Sequence, residues 1–310
     1  MRIAILGSGG LGGYFGGRLA AAGADVAFLA RGAHLAALRT HGLRIDSPNG
    51  NLHLPHVNAT DAAASVGAVD AVFFAVKRYD TDSAVPLLPP LIGPDTVVIP
   101  FQNGVDAADA LIPVVGRAHV ACGVAYITAV VSEPGVIRHT AFDRLIFGEI
   151  DGARSPRLER LLGLCNDAGF RPTLSEHIEV DVWSKFVHLS VFSGMTAVTR
   201  MPIGPLRDDP ELFAMWQAGL REAIGVAEGR HVPIPPALFD DALANIRRLP
   251  ANAKASMLED LERGRRLELP WLSAALVRMG GEVGVDTPTH RFIATVLKPH
   301  VNGRVSQGSF

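Results

Sequence analysis

Along the first 175 residues, short apolar runs alternate with stretches of helical period. The runs Arg2–Leu6, Asp25–Leu29, Ala71–Val76 and Thr96–Pro100 are aliphatic or β-branched, lack clear alternation, and are bounded by Gly, Pro or Asp. Strands covered on both faces of a parallel sheet have this texture. Leu43–Asp46 and Leu52–Leu54 flank Ser47-Pro48-Asn49-Gly50, a turn signal that predicts a small inserted hairpin. Glu133-Pro134-Gly135 separates Val120–Val131 from Val136–Ile150 and predicts a second hairpin, which adds antiparallel strands at the end of the same sheet.

After Arg171–Ser175 the strand signal disappears and helical periods recur over His177–Val198, Pro210–Gly229, Pro236–Arg247, Asn252–Arg263, Pro270–Val283 and Thr289–Pro299. Proline near several starts and glycine near several ends fit helix punctuation. The pattern predicts two domains, 1–175 with mixed α/β structure and 176–310 all-helical. No repeat or low-complexity linker separates them.

Composition narrows the function. Lys plus Arg total 29 against 31 Asp plus Glu, a net charge of −2, so no basic face stands ready for nucleic acid or an anionic membrane. Hydrophobic residues make up 48 % of the chain, enough for large cores. The longest apolar runs, Val120–Val131 and Phe186–Val198, fall short of the roughly 18 residues of a membrane span. The N-terminal run breaks into glycines instead of forming a signal helix. Two cysteines, Cys122 and Cys165, cannot build a disulfide framework or a zinc site, which predicts a soluble cytoplasmic protein.

Ile3-Ala4-Ile5-Leu6 runs directly into Gly7-Ser8-Gly9-Gly10-Leu11-Gly12, the G-x-G-x-x-G spacing between a strand and a helix. Gly7 permits the tight turn, Gly9 lets backbone approach a pyrophosphate, and Gly12 lets helix and strand pack closely. The helix N-terminus then offers unpaired N–H groups to phosphate. The second strand ends in Arg31, with no acid to accept from a ribose 2′-hydroxyl. A guanidinium suits a 2′-phosphate, so the cofactor predicted is NADP(H), the alternative being a solvated surface arginine.

Lys77 and Asn103 follow the third and fourth predicted strands, at the rim where open α/β sheets bind ligands. A solvated lysine and an Asn103-Gly104 turn are the plain alternatives. On a helix, Lys185 has Asp181, Val182, His188 and Leu189 as neighbours, with Phe192 beyond. Desolvation on that face would lower its pKa and make it a proton donor, unless it snorkels across apolar surface. Glu268 precedes Leu269-Pro270 near a helix start, where the dipole favours a carboxylate. His53 and His56 lie in the inserted hairpin with no third ligand suggested, so no metal is expected.

Taken together, these residues resemble the ketopantoate reductase (2-dehydropantoate 2-reductase) family over Met1 to about Lys298. The likeness rests on the glycine loop with Arg31, on Val76-Lys77, Gln102-Asn103-Gly104-Val105 and Trp183-Ser184-Lys185, and on Ser256-Met257 through Asp260 to Glu268. Ser256 and Glu268 stand twelve residues apart, the spacing that the family keeps.

The resemblance implies a Rossmann-type doubly wound sheet followed by an all-α domain, and NADPH-dependent reduction of a 2-oxo acid. It implies Lys185 as general acid, Glu268 as the group positioning the lysine or a substrate hydroxyl, and Asn103 and Lys77 lining the nicotinamide and substrate cleft. Ser256 would help bind substrate.

The chain departs from the family where pantoate-forming members carry asparagines. Leu189, Ser193 and Ile203 stand there instead, and Pro270 replaces a usual aspartate. A paralogue reducing a more apolar 2-oxo acid to a D-2-hydroxy acid is therefore the first alternative. A non-catalytic NADP(H)-binding redox sensor is the contrasting one, against which the retention of Lys185 and Glu268 counts. Helical domains of this kind often carry homodimer contacts, but no face is singled out for them.

Overall fold

The structure, a computed structural model, describes residues 1–304. The chain forms two compact units: Met1–Gln102 with Asp106–Asp181, and Asn103–Val105 with the chain from Val182 onward.

The first unit runs β1 (Arg2–Leu6), α1 (Gly10–Ala21), β2 (Asp25–Leu29), α2 (Gly32–His41), β3 (Leu43–Asp46), β4 (Leu52–Leu54), β5 (Asn58–Thr60), β6 (Val69–Phe74), α3 (Thr81–Ala84) and β7 (Ile92–Pro100). It continues with α4 (Ala107–Val115), β8 (Ala121–Glu133), β9 (Val136–Glu149), α5 (Pro156–Asp167) and β10 (Arg171–Leu174). Five parallel strands form a sheet in the order β5-β2-β1-β6-β7.

Alternate residues of these strands enter two separate hydrophobic clusters. Ile3, Ile5, Phe28, Phe73 and Ile99 belong to one, and Ala4, Leu6, Leu29, Val72, Phe74 and Val98 to the other. Both faces are thus covered, which is why these strands show no polar alternation.

The second hairpin departs from expectation. β8 and β9 do not extend the parallel sheet but build a second one, ordered β10-β9-β3-β4 with β8 paired to β9. Among the described residues, one isolated backbone bridge, Val98 to Val120, joins the strand β7 of the first sheet to the segment leading into β8. The inserted hairpin β3–β4 is antiparallel as expected, and β3 also pairs parallel to β9, Arg44 opposite Val136.

Helix α1 packs against both sheets through its glycines. A Cβ at Gly16 would strike Ile5 and Phe28 of the first sheet, and one at Gly17 would strike Ile45 of the second.

Helix α6 (Ile178–Thr199) carries the chain from the first unit into the second. There follow α7 (Ile203–Asp208), α8 (Pro210–Gly229), α9 (Leu238–Arg248), α10 (Ser256–Glu262), α11 (Ser273–Val283) and α12 (Pro288–Leu297). Their core joins Val187 and Val191 of α6, Trp216 and Leu220 of α8, Leu276 of α11 and Ile293 of α12.

Asp209 caps α8 by accepting from the backbone N–H groups of Glu211 and Leu212, each at 2.9 Å, and Pro210 opens the helix. No strand follows β10 among the described residues, and none of their helices is long and apolar enough to cross a membrane. The three tryptophans, Trp183, Trp216 and Trp271, lie in this second unit, whereas Tyr14, Tyr79 and Tyr126 lie in the first.

Candidate active site

In the first unit, β1 ends at Gly7, whose φ of +104° only glycine adopts easily. A Cβ there would also meet Val76 N at 2.6 Å. At Gly12 a Cβ would run into the Gly7 carbonyl oxygen and Ile5, and at Gly10 into the carbonyl of Ala129.

Gly9 differs from these three. It precedes α1 in extended geometry, and its missing Cβ would meet nothing within 4 Å. The cradle is therefore closed from below and open at one glycine, at a helix N-terminus with no acid in its first turn. That shape and polarity fit a pyrophosphate.

Ser8 is buried, and its Oγ donates to the Leu29 carbonyl at 3.0 Å, so the hydroxyl hooks the loop to the end of β2. Leu11 is part-buried in α1 and packs against the core of this unit. Arg31 immediately precedes α2, is largely exposed, and its guanidinium lies 3.6 Å from the Asp80 carboxylate. Lys77 follows β6 and opens a single 3-10 turn, Arg78–Asp80, with its side chain half-buried.

Three further residues of this unit support the loop and the strand end: His34 and Arg78 carried no signal in the sequence, and Gln102 only its place beside Asn103 in the family motif. His34, in the first turn of α2, accepts from Gly135 N at Nδ1 (3.0 Å), which leaves Nε2 to donate to the Ser8 carbonyl (2.8 Å). Burial lowers its pKa, so the neutral ring ties the glycine loop to the β8–β9 turn. Arg78, buried, pairs with Asp106 at 2.5 Å. Gln102 donates to the Val76 carbonyl (2.8 Å) and to Thr81 Oγ1 (3.0 Å), which fixes the backbone just before Asn103.

In the second unit, three sequence-predicted residues form one hydrogen-bonded run. Lys185 Nζ, on α6, donates to Asn103 Oδ1 at 3.0 Å, and Asn103 Nδ2 donates to Glu268 Oε2 at 3.0 Å. The amide thus has its oxygen toward the ammonium and its nitrogen toward the carboxylate. Glu268 is buried, and its carbonyl accepts from Trp271 N in the turn Leu269–Trp271 that contains Pro270.

Part of the Lys185 side chain still reaches the surface, but protein surrounds the ammonium closely enough to matter. Desolvation pulls its pKa down to about 8, with the Glu268 charge opposing that shift. Ser256 opens α10 with its residue exposed.

On the same helix as the lysine, Leu189 and Phe192 are half-buried apolar side chains and Ser193 is buried; Ile203, on α7, is fully buried in the core of the second unit. No group of three His, Cys, Asp or Glu residues that could hold a metal occurs among the described residues.

Two family models match the chain: ketopantoate reductase PanE/ApbA over residues 3–152 and its C-terminal region over residues 177–301. A 2-dehydropantoate 2-reductase of Mesorhizobium japonicum is 31 % identical, covering 93 % of this chain and 94 % of that protein. A crystal structure of 2-dehydropantoate 2-reductase from Geobacter metallireducens superimposes with a TM-score of 0.90 at 29 % identity, covering 96 % of this chain and 99 % of that one. A D-mandelate dehydrogenase, solved with NADH and anilino(oxo)acetate, shares the fold at TM-score 0.88 and 20 % identity, over 97 % of this chain and 98 % of its own. The glycine loop, the Lys185–Asn103–Glu268 run and these matches lead to one assignment: the chain belongs to the ketopantoate reductase family of oxidoreductases.

Proposed function

We propose that the protein reduces a 2-oxo acid to the 2-hydroxy acid with NADPH, 2-dehydropantoate being the first substrate to test. The observation that carries this reading is the run from Lys185 through Asn103 to Glu268, with the lysine pKa lowered to about 8. Reduction of a ketone builds negative charge on oxygen, and an ammonium near neutrality can stabilise and then protonate it.

Asn103 Oδ1 aims the ammonium, and Glu268 holds the amide in the orientation that keeps its oxygen toward Nζ. Ser256 would contribute a hydroxyl to the substrate. The backbone of Gly7, Ser8, Gly9, Gly10, Leu11 and Gly12 would hold the pyrophosphate, with Arg31, Lys77 and Asn103 on the rest of the cofactor. When bound, the reduced nicotinamide supplies the hydride to the carbonyl carbon.

NADPH over NADH is supported by Arg31, whose exposed guanidinium is only loosely held by Asp80 and can turn to a 2′-phosphate. Arg31→Ala should lower the preference for NADPH over NADH about tenfold or more, read as the ratio of kcat/KM values. We place the reaction in the cytoplasm, a compartment that suits the free thiols of Cys122 and Cys165.

A second reading is favoured by Leu189 and Ile203, which present no hydrogen-bond donor from their side chains where the family carries amides. A substrate with an apolar or aromatic substituent, of the kind handled by the D-mandelate dehydrogenase, would suit them better. The deciding assay follows NADPH absorbance with 2-dehydropantoate and a panel of branched and aromatic 2-oxo acids.

Preference for an aromatic acid would select the second reading, and no turnover with any acid would reject both. Lys185→Ala should cost roughly 10²-fold or more in kcat on the best substrate. Near-parental turnover would remove the lysine from the mechanism.

A further inference from the structure

The fold pairs its enclosed histidines with care. His34 has partners on both ring nitrogens, as does His139, at Ser47 Oγ (2.8 Å) and the Phe142 carbonyl (2.5 Å). His290, fully buried, meets Ser273 Oγ (3.2 Å) and the Gly219 carbonyl (3.1 Å). His188 breaks the pattern: its Nδ1 is buried with no hydrogen-bond partner among the described residues. A buried ring nitrogen without a partner loses water and gains nothing from the fold in return, so the missing partner calls for an explanation.

Its place on α6 suggests one. Trp183, Phe186, Val187 and Val191 of this helix are buried in the core of the second unit. Lys185, His188, Leu189 and Phe192 fall at i, i+3, i+4 and i+7, a single stripe of half-buried side chains. The His188 and Phe192 rings lie 6.4 Å apart between centroids. This stripe therefore carries an ammonium on one turn, an imidazole on the next, and apolar surface beside both.

A 2-oxo acid has matching parts: a carbonyl oxygen, a carboxylate on the adjacent carbon, and a substituent on the other side. Side chains three apart on a helix root about 5–6 Å from each other, close enough to serve neighbouring groups of one small molecule.

We infer that His188 donates from Nδ1 to the carboxylate of the 2-oxo acid whose carbonyl oxygen faces Lys185, and so is a specificity-determining residue. This rests on the reaction proposed above. Leu189 and Ile203 supply no side-chain donor where the family has amides, and on this stripe His188 Nδ1 offers one beside any hydroxyl that Ser256 contributes. Burial holds the His188 pKa near 4, so at neutral pH the ring is uncharged and keeps one N–H to give. Leu189 and Phe192 are left to meet the substituent.

The test compares the parent with His188→Phe, which keeps a ring but no donor, and His188→Asn, whose amide nitrogen reaches about where Nδ1 stands. With NADPH and the best 2-oxo acid, His188→Phe should raise KM for the acid about 10- to 100-fold, the range for losing a donor to a charged group. Its kcat should stay within about threefold, and KM for NADPH should not move. His188→Asn should recover most of the loss.

In parallel, protein labelled with 15N-histidine is titrated with oxamate, a non-reducible carboxylate, in the presence of NADP+. The Nδ1 resonance of His188 should shift as oxamate binds. A KM for the acid within twofold of the parent in His188→Phe overturns the inference, as does a resonance that oxamate leaves unmoved. If the parent oxidises NADPH with no 2-oxo acid, the proposed reaction fails, and the oxamate titration still decides the role of His188 separately.

Discussion

Lys185 carries two opposing demands in one side chain. It must hold a proton to act as an acid, yet its surroundings favour losing that proton at about pH 8. Rate and stability therefore respond to pH in opposite ways. As an acid, Lys185 works only when protonated, so kcat/KM should fall as pH rises through about 8, and a pH–rate profile checks this.

For stability the sign reverses. Below pH 8 the amine is charged in both folded and unfolded chains, and the folded state bears the full desolvation cost. Between about 8 and the unperturbed 10.5 the folded amine has lost its proton while the unfolded one keeps it, so that cost shrinks as pH rises. Lys185→Met should accordingly lower kcat as Lys185→Ala does yet raise Tm at pH 7 by a few degrees, about 1 kcal/mol after discounting for the partly exposed chain. A fall in Tm would mean that the bond to Asn103 outweighs desolvation.

The neighbours Val182, Leu189 and Phe192 could not separate a buried acid from a snorkelling lysine. Asn103 and Glu268 meet each other 165 residues apart in the chain, and no local pattern records such an encounter. His34 and Arg78 gave no signal for the same reason, and nothing local marked the partners of Gln102 or His188.

Among the elements, the glycine loop allows two roles of glycine to be told apart. Gly9→Ala places its methyl in open space at a φ of −72°, so Tm should hold while the cofactor Kd weakens at least tenfold. Gly12→Ala meets the Gly7 carbonyl and should destabilise the protein itself, costing about 1–3 kcal/mol as an overpacked contact. Thermal melts with and without NADPH separate these outcomes.

The strands that lead into this loop were legible because both faces are apolar and glycine or aspartate ends each one. β1 and β2 span the predicted residues, and the hairpin turns fall where proline and glycine placed them. The sheet to which each hairpin belongs was not legible. β3 joins β9 through residues about 90 positions apart, a pairing set by packing on either side of α1.

β5 is three residues, Asn58-Ala59-Thr60, too short and polar to stand out, and it forms only because β2 offers an edge. The pattern predicts no helix between His177–Val198 and Pro210–Gly229, where the structure has α7. Pro202 stands at its N-cap, and Pro205 falls within its first turn, where a missing N–H costs least. The long helices of the second unit lay within a few residues of their predicted spans, apart from Asn252–Arg263, which contracts to α10, and Pro270–Val283, which splits into a single turn and α11.

For the molecule as a whole, each unit is built on its own hydrophobic clusters. A ligand that binds only the native protein stabilises it by mass action. NADPH at about a hundredfold over its Kd should add about 2.7 kcal/mol, read as a rise in the urea midpoint, and Gly9→Ala should forfeit about half of that gain or more at equal concentration. An unchanged midpoint in the parent would count against nucleotide binding.

The segregation of Trp and Tyr turns this protein into its own two-channel reporter. Selective excitation of indole emission follows the helical unit with no label attached, while phenol emission belongs to the sheet-bearing unit. Comparing the two colours during denaturation would reveal whether the halves melt in step or in succession.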